Sequence, residues 1–396
     1  MATKIVQMEL KEPTLDTEGL EGYDTMLVLL RYGGRPVGQL RVPVVGGRVS
    51  AAEVCDRISG TDQWPIWKRV VQEFVAWEPE DAYPGRPRAS VVVITRERPE
   101  DLTRCLNGLM ALPDDGQEVI VVDNRPQTDA TVRVVSGYGD GVRYVREDVP
   151  GSSAARNRGL REARNEVVAF IDDDAVPDPG WLRGLVRNFR DPRVLAVTGL
   201  VMPLELETPA QEEFETYSPH GRGFHRQTFS AATHYALHVA PIGVSANMAL
   251  RGDIIEVVGA FDEALGVGTP ARCGEDYELF TRILRAGYDI VYDPAALAWH
   301  RHRRSWPELR HVLRGYGVGV YAAWTRLLLL EREPSVVVMA ARWFRHKQLP
   351  DIIAALRREP DSPPLDVQLE QLWGCFLGPL AYLRSRRRLR RLGVTS

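Results

Sequence analysis

Asp172-Asp173-Asp174 is the stretch of this 396-residue chain best suited to chemistry. Three adjacent carboxylates repel one another unless a cation or water relieves them. They follow Val167 to Ile171, an apolar run that reads as a strand buried on both faces. If the strand stays extended, Asp172 and Asp174 share a side and Asp173 faces away. Hard oxygen ligands so placed suit a divalent metal, Mn2+ or Mg2+, bridging a diphosphate. The plainer alternative is a solvated acidic turn capping the helix after Pro177.

Glu275-Asp276 opens an amphipathic helix after the glycine-containing loop Gly266 to Gly274. Acidic first-turn residues stabilise a helix dipole. A carboxylate there can also take the proton of an attacking hydroxyl. Asp123 ends a second apolar run, Val119 to Val122, and could accept from a base or ribose; many strands end in Asp simply at a turn. Thr95-Arg96 ends a third run, Ser90 to Ile94. Arg156 and Asn157 lie near a helix N-terminus in Ser152 to Gly159, where a guanidinium suits an anion or a carbonyl-rich base. An exposed basic helix is the other reading. In Trp299-His300-Arg301-His302-Arg303-Arg304, His300 or His302 could complete a metal site and the arginines could bind phosphates. For either histidine a packing role stays open.

Positioning these residues requires an α/β frame. Strands are expected at 90–94, 119–122, 142–145, 167–171 and 194–200. Helices are expected after Pro99, from Ser152 to about Arg164, from Pro177 to Arg190 and from Glu275 to Gly287. This alternation indicates a mostly parallel sheet with helices on both faces, whose ligands sit outside the carboxyl ends of the strands. Residues 1–85 read as a small N-terminal α+β unit with strands at 25–30 and 37–45 and helices after Ser50 and over 64–77; no role is assigned to it. A linker is expected at 83–88. Residues 86–305 form the catalytic unit and 306–396 a helical C-terminal tail. Residues 203–238 are less regular and carry four of the eight histidines, the pattern of a loop over a site.

The net charge of −3 gives no electrostatic case for nucleic acid. Cys55, Cys105, Cys273 and Cys375 have no metal spacing, so a reducing cytoplasm is the expected compartment. No apolar leader or membrane span is read.

In order, the segments SVVVITRERPEDLTRCLNGL, EVIVVDN, GSSAARNRGL, VVAFIDDDAVPDPGWL, SANMALRG, VVGAFDEAL and GEDYELFTRILRAGYDIVYDPAALAWH resemble the family 2 glycosyltransferases, over roughly residues 88–304. The resemblance implies the GT-A nucleotide-diphospho-sugar transferase fold and an inverting transfer from a nucleotide-sugar donor, UDP favoured. It implies that Thr95 and Asp123 contact the nucleoside, with Arg156 nearby; Arg96, Asn157 and Asp173 are placed on the same donor side. Asp172 and Asp174 would form an Asp-x-Asp motif, Asp172 toward ribose or metal and Asp174 on the metal, and His300 would touch metal or diphosphate. Asp276 would be the base, with Glu275 on a sugar. The acceptor, a glycan, lipid-linked or small molecule in surface-glycan or glycoconjugate synthesis, is left open. Processive members carry a Gln-x-x-Arg-Trp motif; here the stretch reads His302-Arg303-Arg304-Ser305-Trp306, which favours single transfers. A nucleotidylyltransferase would need a glycine-rich loop where Thr95 to Pro99 stands. A non-catalytic binding scaffold is the remaining rival. At the C-terminus, Leu372 to Leu380 followed by six arginines could rest on an anionic membrane, giving peripheral contact at the inner face of the plasma membrane; a packed helix with a solvated basic end is the alternative.

Overall fold

The β-branched runs become neighbouring strands in the computed structural model, which describes residues 2–12, 18–75, 87–357, 359, 362 and 364–394. The chain opens with β1 (Thr3–Glu9), β2 (Thr25–Tyr32), β3 (Arg35–Pro43), α1 (Ala51–Ser59) and α2 (Trp64–Phe74). It continues through β4 (Ala89–Thr95), α3 (Pro99–Met110), β5 (Glu118–Asn124), α4 (Ala130–Ser136), β6 (Arg143–Glu147), α5 (Ser152–Glu162), β7 (Val167–Asp172) and β8 (Ala175–Pro177). Next come α6 (Trp181–Val186), β9 (Val194–Pro203), α7 (Pro209–Tyr217), β10 (Gln227–Ser230), β11 (Asn247–Arg251), α8 (Ile254–Val258), α9 (Glu275–Arg285) and β12 (Asp289–His300). Four helices close it: α10 (Trp306–Leu330), α11 (Ser335–Trp343), α12 (Leu349–Arg357) and α13 (Leu365–Arg391).

The main sheet runs β10-β12-β9-β11-β7-β4-β5-β6, with β8 on β12. Strands β7, β4, β5 and β6 are parallel, whereas β11 runs antiparallel between β7 and β9. Alternation along β4 explains why its whole run is apolar. Val91 and Val93 pack with Leu102, Leu106 and Trp181 on one face. Val92 packs with Ala155, Leu160 and Leu279 on the other. Register then does the positioning, because Thr95 lies opposite Asp123 and Ile94 opposite Asp172. Three strand ends therefore share one edge.

The N-terminal strands form a separate three-stranded sheet, β1-β2-β3, in which the unexpected β1 runs parallel to β2. This sheet is packed on the body. Leu27 and Leu29 belong to the main core, while the alternating Met26, Val28 and Leu30 form a core with Val54 of α1. Arg31 also makes a buried two-pronged ion pair with Asp178. Part of the expected linker, 83–86, lies outside the described residues, as does the end of the helix expected to reach Trp77. The segment 203–238 is more ordered than its composition suggested. It contains α7, opened by a capping box between Thr208 and Gln211, and the edge strand β10. Among the described residues, no helix is long and apolar enough to cross a membrane.

Candidate active site

The acidic triplet sits where β7 stops and the chain turns into β8. Asp173 points to the β4 end, where it accepts from Thr95 Oγ1 at 2.7 Å and from Arg98 Nη1 at 3.1 Å. Asp172 and Asp174 turn toward His300, so that one ligand atom from each of the three residues lies within 4.8 Å of the others. The chain turns at Asp173-Asp174 instead of staying extended, yet Asp172 and Asp174 still share the His300 side. Two carboxylates and an imidazole are a donor set that hard or borderline divalent cations accept. Arg98 at 3.1 Å and Arg303 at 3.3 Å also ion-pair with Asp174. Burial works to raise the Asp174 carboxyl, but His300, Arg303 and Arg98 outweigh it and hold the group well below the usual range. Burial together with the charge of Asp174 pushes Asp173 the other way, upward.

His300 is the first member of a chain of contacts. Its Nε2 is 3.2 Å from Asp174, and its Nδ1 is 3.3 Å from Nδ1 of His302. Nε2 of His302 meets Glu215 of α7 at 3.0 Å. A carboxylate only accepts, so His302 donates from Nε2 and its Nδ1 becomes an acceptor. His300 must then donate from Nδ1, which aims its Nε2 at the aspartates. Burial drives His302 below its ordinary value despite Glu215, in keeping with a neutral ring. Burial also opposes charge on His300, yet Asp174 raises it.

Helix α5 supplies the bridge to the other carboxylates. Arg156 Nη1 donates to Glu275 at 2.7 Å and its Nη2 lies 3.4 Å from Asp172. The triplet and the start of α9 are thus one guanidinium apart. Glu275 also accepts from Ser152 Oγ at 3.0 Å. Burial raises the Glu275 carboxyl against the pull of Arg156. Asp276 is partly exposed. Its two oxygens accept from the backbone N–H groups of Ser245 at 3.2 Å and Tyr277 at 2.7 Å. That orients the carboxylate while leaving lone pairs for a substrate hydroxyl. Gly274, at φ 96°, makes the turn into α9, and a Cβ there would lie 2.4 Å from the carbonyl of Gly319. Only glycine lets the α9 N-terminus press against α10.

One cavity of about 600 Å³ is lined by all three aspartates, Glu275, Asp276 and His300, and by Thr95, Arg96 and Arg156. Its far end runs between the C-terminal helices, past Tyr321, Trp324, Met339 and Trp343. Two expected donor-side residues lie outside this lining. Asn157 is committed elsewhere: its carboxamide donates to the carbonyl of Phe261 and to Glu263, and accepts from Phe261 N–H. It clamps the 261–263 loop. Asp123 is buried behind the edge, accepting from Tyr144, while its neighbour Asn124 faces the cavity. Sequence reasoning missed Arg98 and Glu215, and also His220 and Tyr316, which line the cavity and meet at 3.0 Å between His220 Nε2 and the Tyr316 hydroxyl. Arg98 stood in a loop inspected only for glycine. Glu215 and His220 fall in the segment read as irregular, and no spacing marks them.

A family model described as "Glycosyl transferase family 2" matches residues 90–259. The pre-mycofactocin glycosyltransferase of Mycobacterium tuberculosis is 29% identical over 282 residues, covering 69% of this chain and 56% of that protein. Glycosyltransferase AglE of Haloferax volcanii is 28% identical over 226 residues, covering 55% of this chain and 68% of its own. The chain thus spans about half the length of the first relative and two thirds of the second. The mannosyltransferase PcManGT from Pyrobaculum calidifontis, solved with GDP-Man and Mn2+, aligns over 84% of both chains with a TM-score of 0.46 and 19% identity. Over the matched segment, which contains the acidic triplet, the chain is similar to the family 2 glycosyltransferases.

Proposed function

We propose that this chain is an inverting glycosyltransferase that moves a sugar from a nucleotide-diphosphate donor, with UDP favoured, to a hydroxyl acceptor. The observation that carries the reading is one cavity lined both by a metal-capable cluster and by the oriented carboxylate of Asp276, with Arg156 joining Asp172 of that cluster to Glu275, the neighbour of Asp276. Asp172, Asp174 and His300 would hold Mn2+ or Mg2+. Such a cation, when bound, supplies Lewis-acid stabilisation to the departing diphosphate. Thr95 and Arg96 line the donor end, with Asp123 and Asn124 beside them.

The residues of the chain do the rest. Asp276, fixed by two backbone donors, takes the proton of the acceptor hydroxyl as its oxygen bonds to the anomeric carbon. The bond from that carbon to the diphosphate breaks on the opposite face, so configuration inverts. The transition state is oxocarbenium-like, by analogy with glycoside hydrolysis. Arg156 ion-pairs with both Asp172 and Glu275, which eases the repulsion between these two carboxylates beside a polyanionic donor. A positioned base typically contributes ~10²–10⁴-fold. Asp276→Asn should therefore lower kcat by about that factor, with donor affinity held within about threefold. Donor turnover with Mn2+, measured alongside donor binding by calorimetry, tests this. Unchanged turnover in Asp276→Asn, or no turnover of any nucleotide sugar by the wild-type chain, overturns the proposal and favours a binding scaffold.

A further inference from the structure

We propose that the outer face of the C-terminal helices docks on an anionic lipid bilayer. The inner face of α13 is built from small residues. A Cβ on Gly374 would lie 2.4 Å from the carbonyl of Arg314, and one on Gly378 would lie 2.5 Å from Cβ of Tyr321. Gly317 of α10 answers them, since a Cβ there would lie 2.2 Å from the carbonyl of Gln371. This close crossing turns the bulky residues outward. Leu369, Trp373, Phe376, Leu380 and Leu383 recur at steps of four and three, which is one helical stripe. All five are exposed, Phe376 at 70% and Trp373 at 54%. The stripe spans about 20 Å of helix. Ile353 and Leu356 on α12, which packs on α13, are exposed as well, as are Val337 and Val338 on α11.

The charge at the end of the stripe has one sign. Beyond Leu383, the exposed Arg384, Arg387, Arg390 and Arg391 carry no carboxylate partner among the described residues. The acidic residues at the start of α13 are already paired with α10: Asp366 with Arg310, and Glu370 with Arg314. An apolar stripe ending in unpaired arginines matches the acyl boundary and phosphate layer of an anionic leaflet. No described helix can span a bilayer, so the contact lies in the plane of the surface. The cavity also runs toward these helices, past Trp324, Met339 and Trp343. On the glycosyl-transfer reading, that brings an acceptor with a lipid tail to Asp276. Docking itself does not depend on that reading.

Vesicle flotation of the full chain tests it without any turnover. The chain should float with phosphatidylcholine vesicles containing phosphatidylglycerol, and stay below with phosphatidylcholine alone. Binding should fall as salt rises from 0.05 to 0.5 M. Each basic residue near such a surface contributes roughly a fivefold factor, so Arg384→Glu with Arg387→Glu should lower partitioning at least tenfold. Trp373→Ser with Phe376→Ser should also abolish flotation. These positions are exposed, so unchanged thermal melting shows the fold intact. Failure of the wild-type chain to float at low salt overturns the proposal. So does sedimentation as a dimer that Phe376→Ser dissociates without any vesicle binding, which would assign the face to a second copy. An active enzyme that never floats would sink the docking face and leave the transfer reading standing.

Discussion

Replacing Glu215 with Gln should weaken metal binding although Glu215 touches no proposed ligand atom. Ionised Glu215 forces His302 to donate from Nε2, which forces His300 to present Nε2 to Asp172 and Asp174. Gln offers both a donor and an acceptor, so His302 becomes free to take either tautomer. Removing the outer partner of a metal-binding histidine typically costs 10–100-fold in metal affinity, which is about 1.4–2.7 kcal/mol. Because the Gln carbonyl can still accept, Glu215→Gln should fall near tenfold. His302→Ala, which deletes the middle of the relay, should approach a hundredfold. The assay is Mn2+ binding to the donor-free chain, followed by the loss of the free-ion spin-resonance signal. Glu207→Gln, a surface ion-pair partner of Arg304, is the control and should bind like wild type. Saturating Mn2+ should restore turnover in Glu215→Gln, since the ligand atoms remain. Mn2+ affinities within twofold of wild type in both relay variants would refute the reasoning.

Three further outcomes follow from named contacts. Asp293 is 1% exposed and paired with Arg187 through two bonds of 2.9 Å. Burial alone would raise its carboxyl, but Arg187 and Asn188 outweigh burial and hold it lowered. Its contribution is therefore complete above the unfolded-chain value of about 3.9 and lost as pH falls through the folded value. Asp293→Asn, which removes the carboxylate charge facing the buried Arg187 guanidinium, should cost ~3–5 kcal/mol at neutral pH and flatten the acid limb of a pH–stability curve from urea melts. Breaking the Arg31–Asp178 pair with Arg31→Ala should cost a similar ~3–5 kcal/mol and expose the N-terminal sheet to proteolysis before the body; coincident cleavage of both would contradict this. Gly199→Ala would place a Cβ 2.1 Å from the carbonyl of Ala296, where β9 and β12 run side by side. It should sharply lower the melting temperature, and an unchanged melt would show that the backbone yields there.

Parts of this molecule were readable in advance for a physical reason. Strands β4, β5 and β7 are buried on both faces, so burial wrote itself into sequence as unbroken apolar runs. The acidic triplet and Glu275-Asp276 were visible because the carboxylates are neighbours in the chain. β1 carries Lys4, Gln7 and Glu9 within seven residues, and its strand state comes from pairing with β2. The relay was invisible for a similar reason: Glu215 lies 87 residues before His302, and only the packing of α7 under the end of β12 joins them.

The adjacent pair Arg156-Asn157 shows where residue chemistry stops being informative. Both side chains can recognise a nucleotide, and both are buried in α5. Successive helix positions point about 100° apart, so a helix lying along one wall of a cavity can offer only one of them to it. The choice falls to Arg156, whose guanidinium reaches Asp172 and Glu275, while Asn157 rotates onto the 261–263 loop and uses its carboxamide there. A composition-level reading ranks the two alike. The face of the helix decides, and that face is set by where α5 packs on β4: a Cβ on Gly159 would lie 2.5 Å from Cγ1 of Val92, so only glycine allows the approach that fixes the rotation.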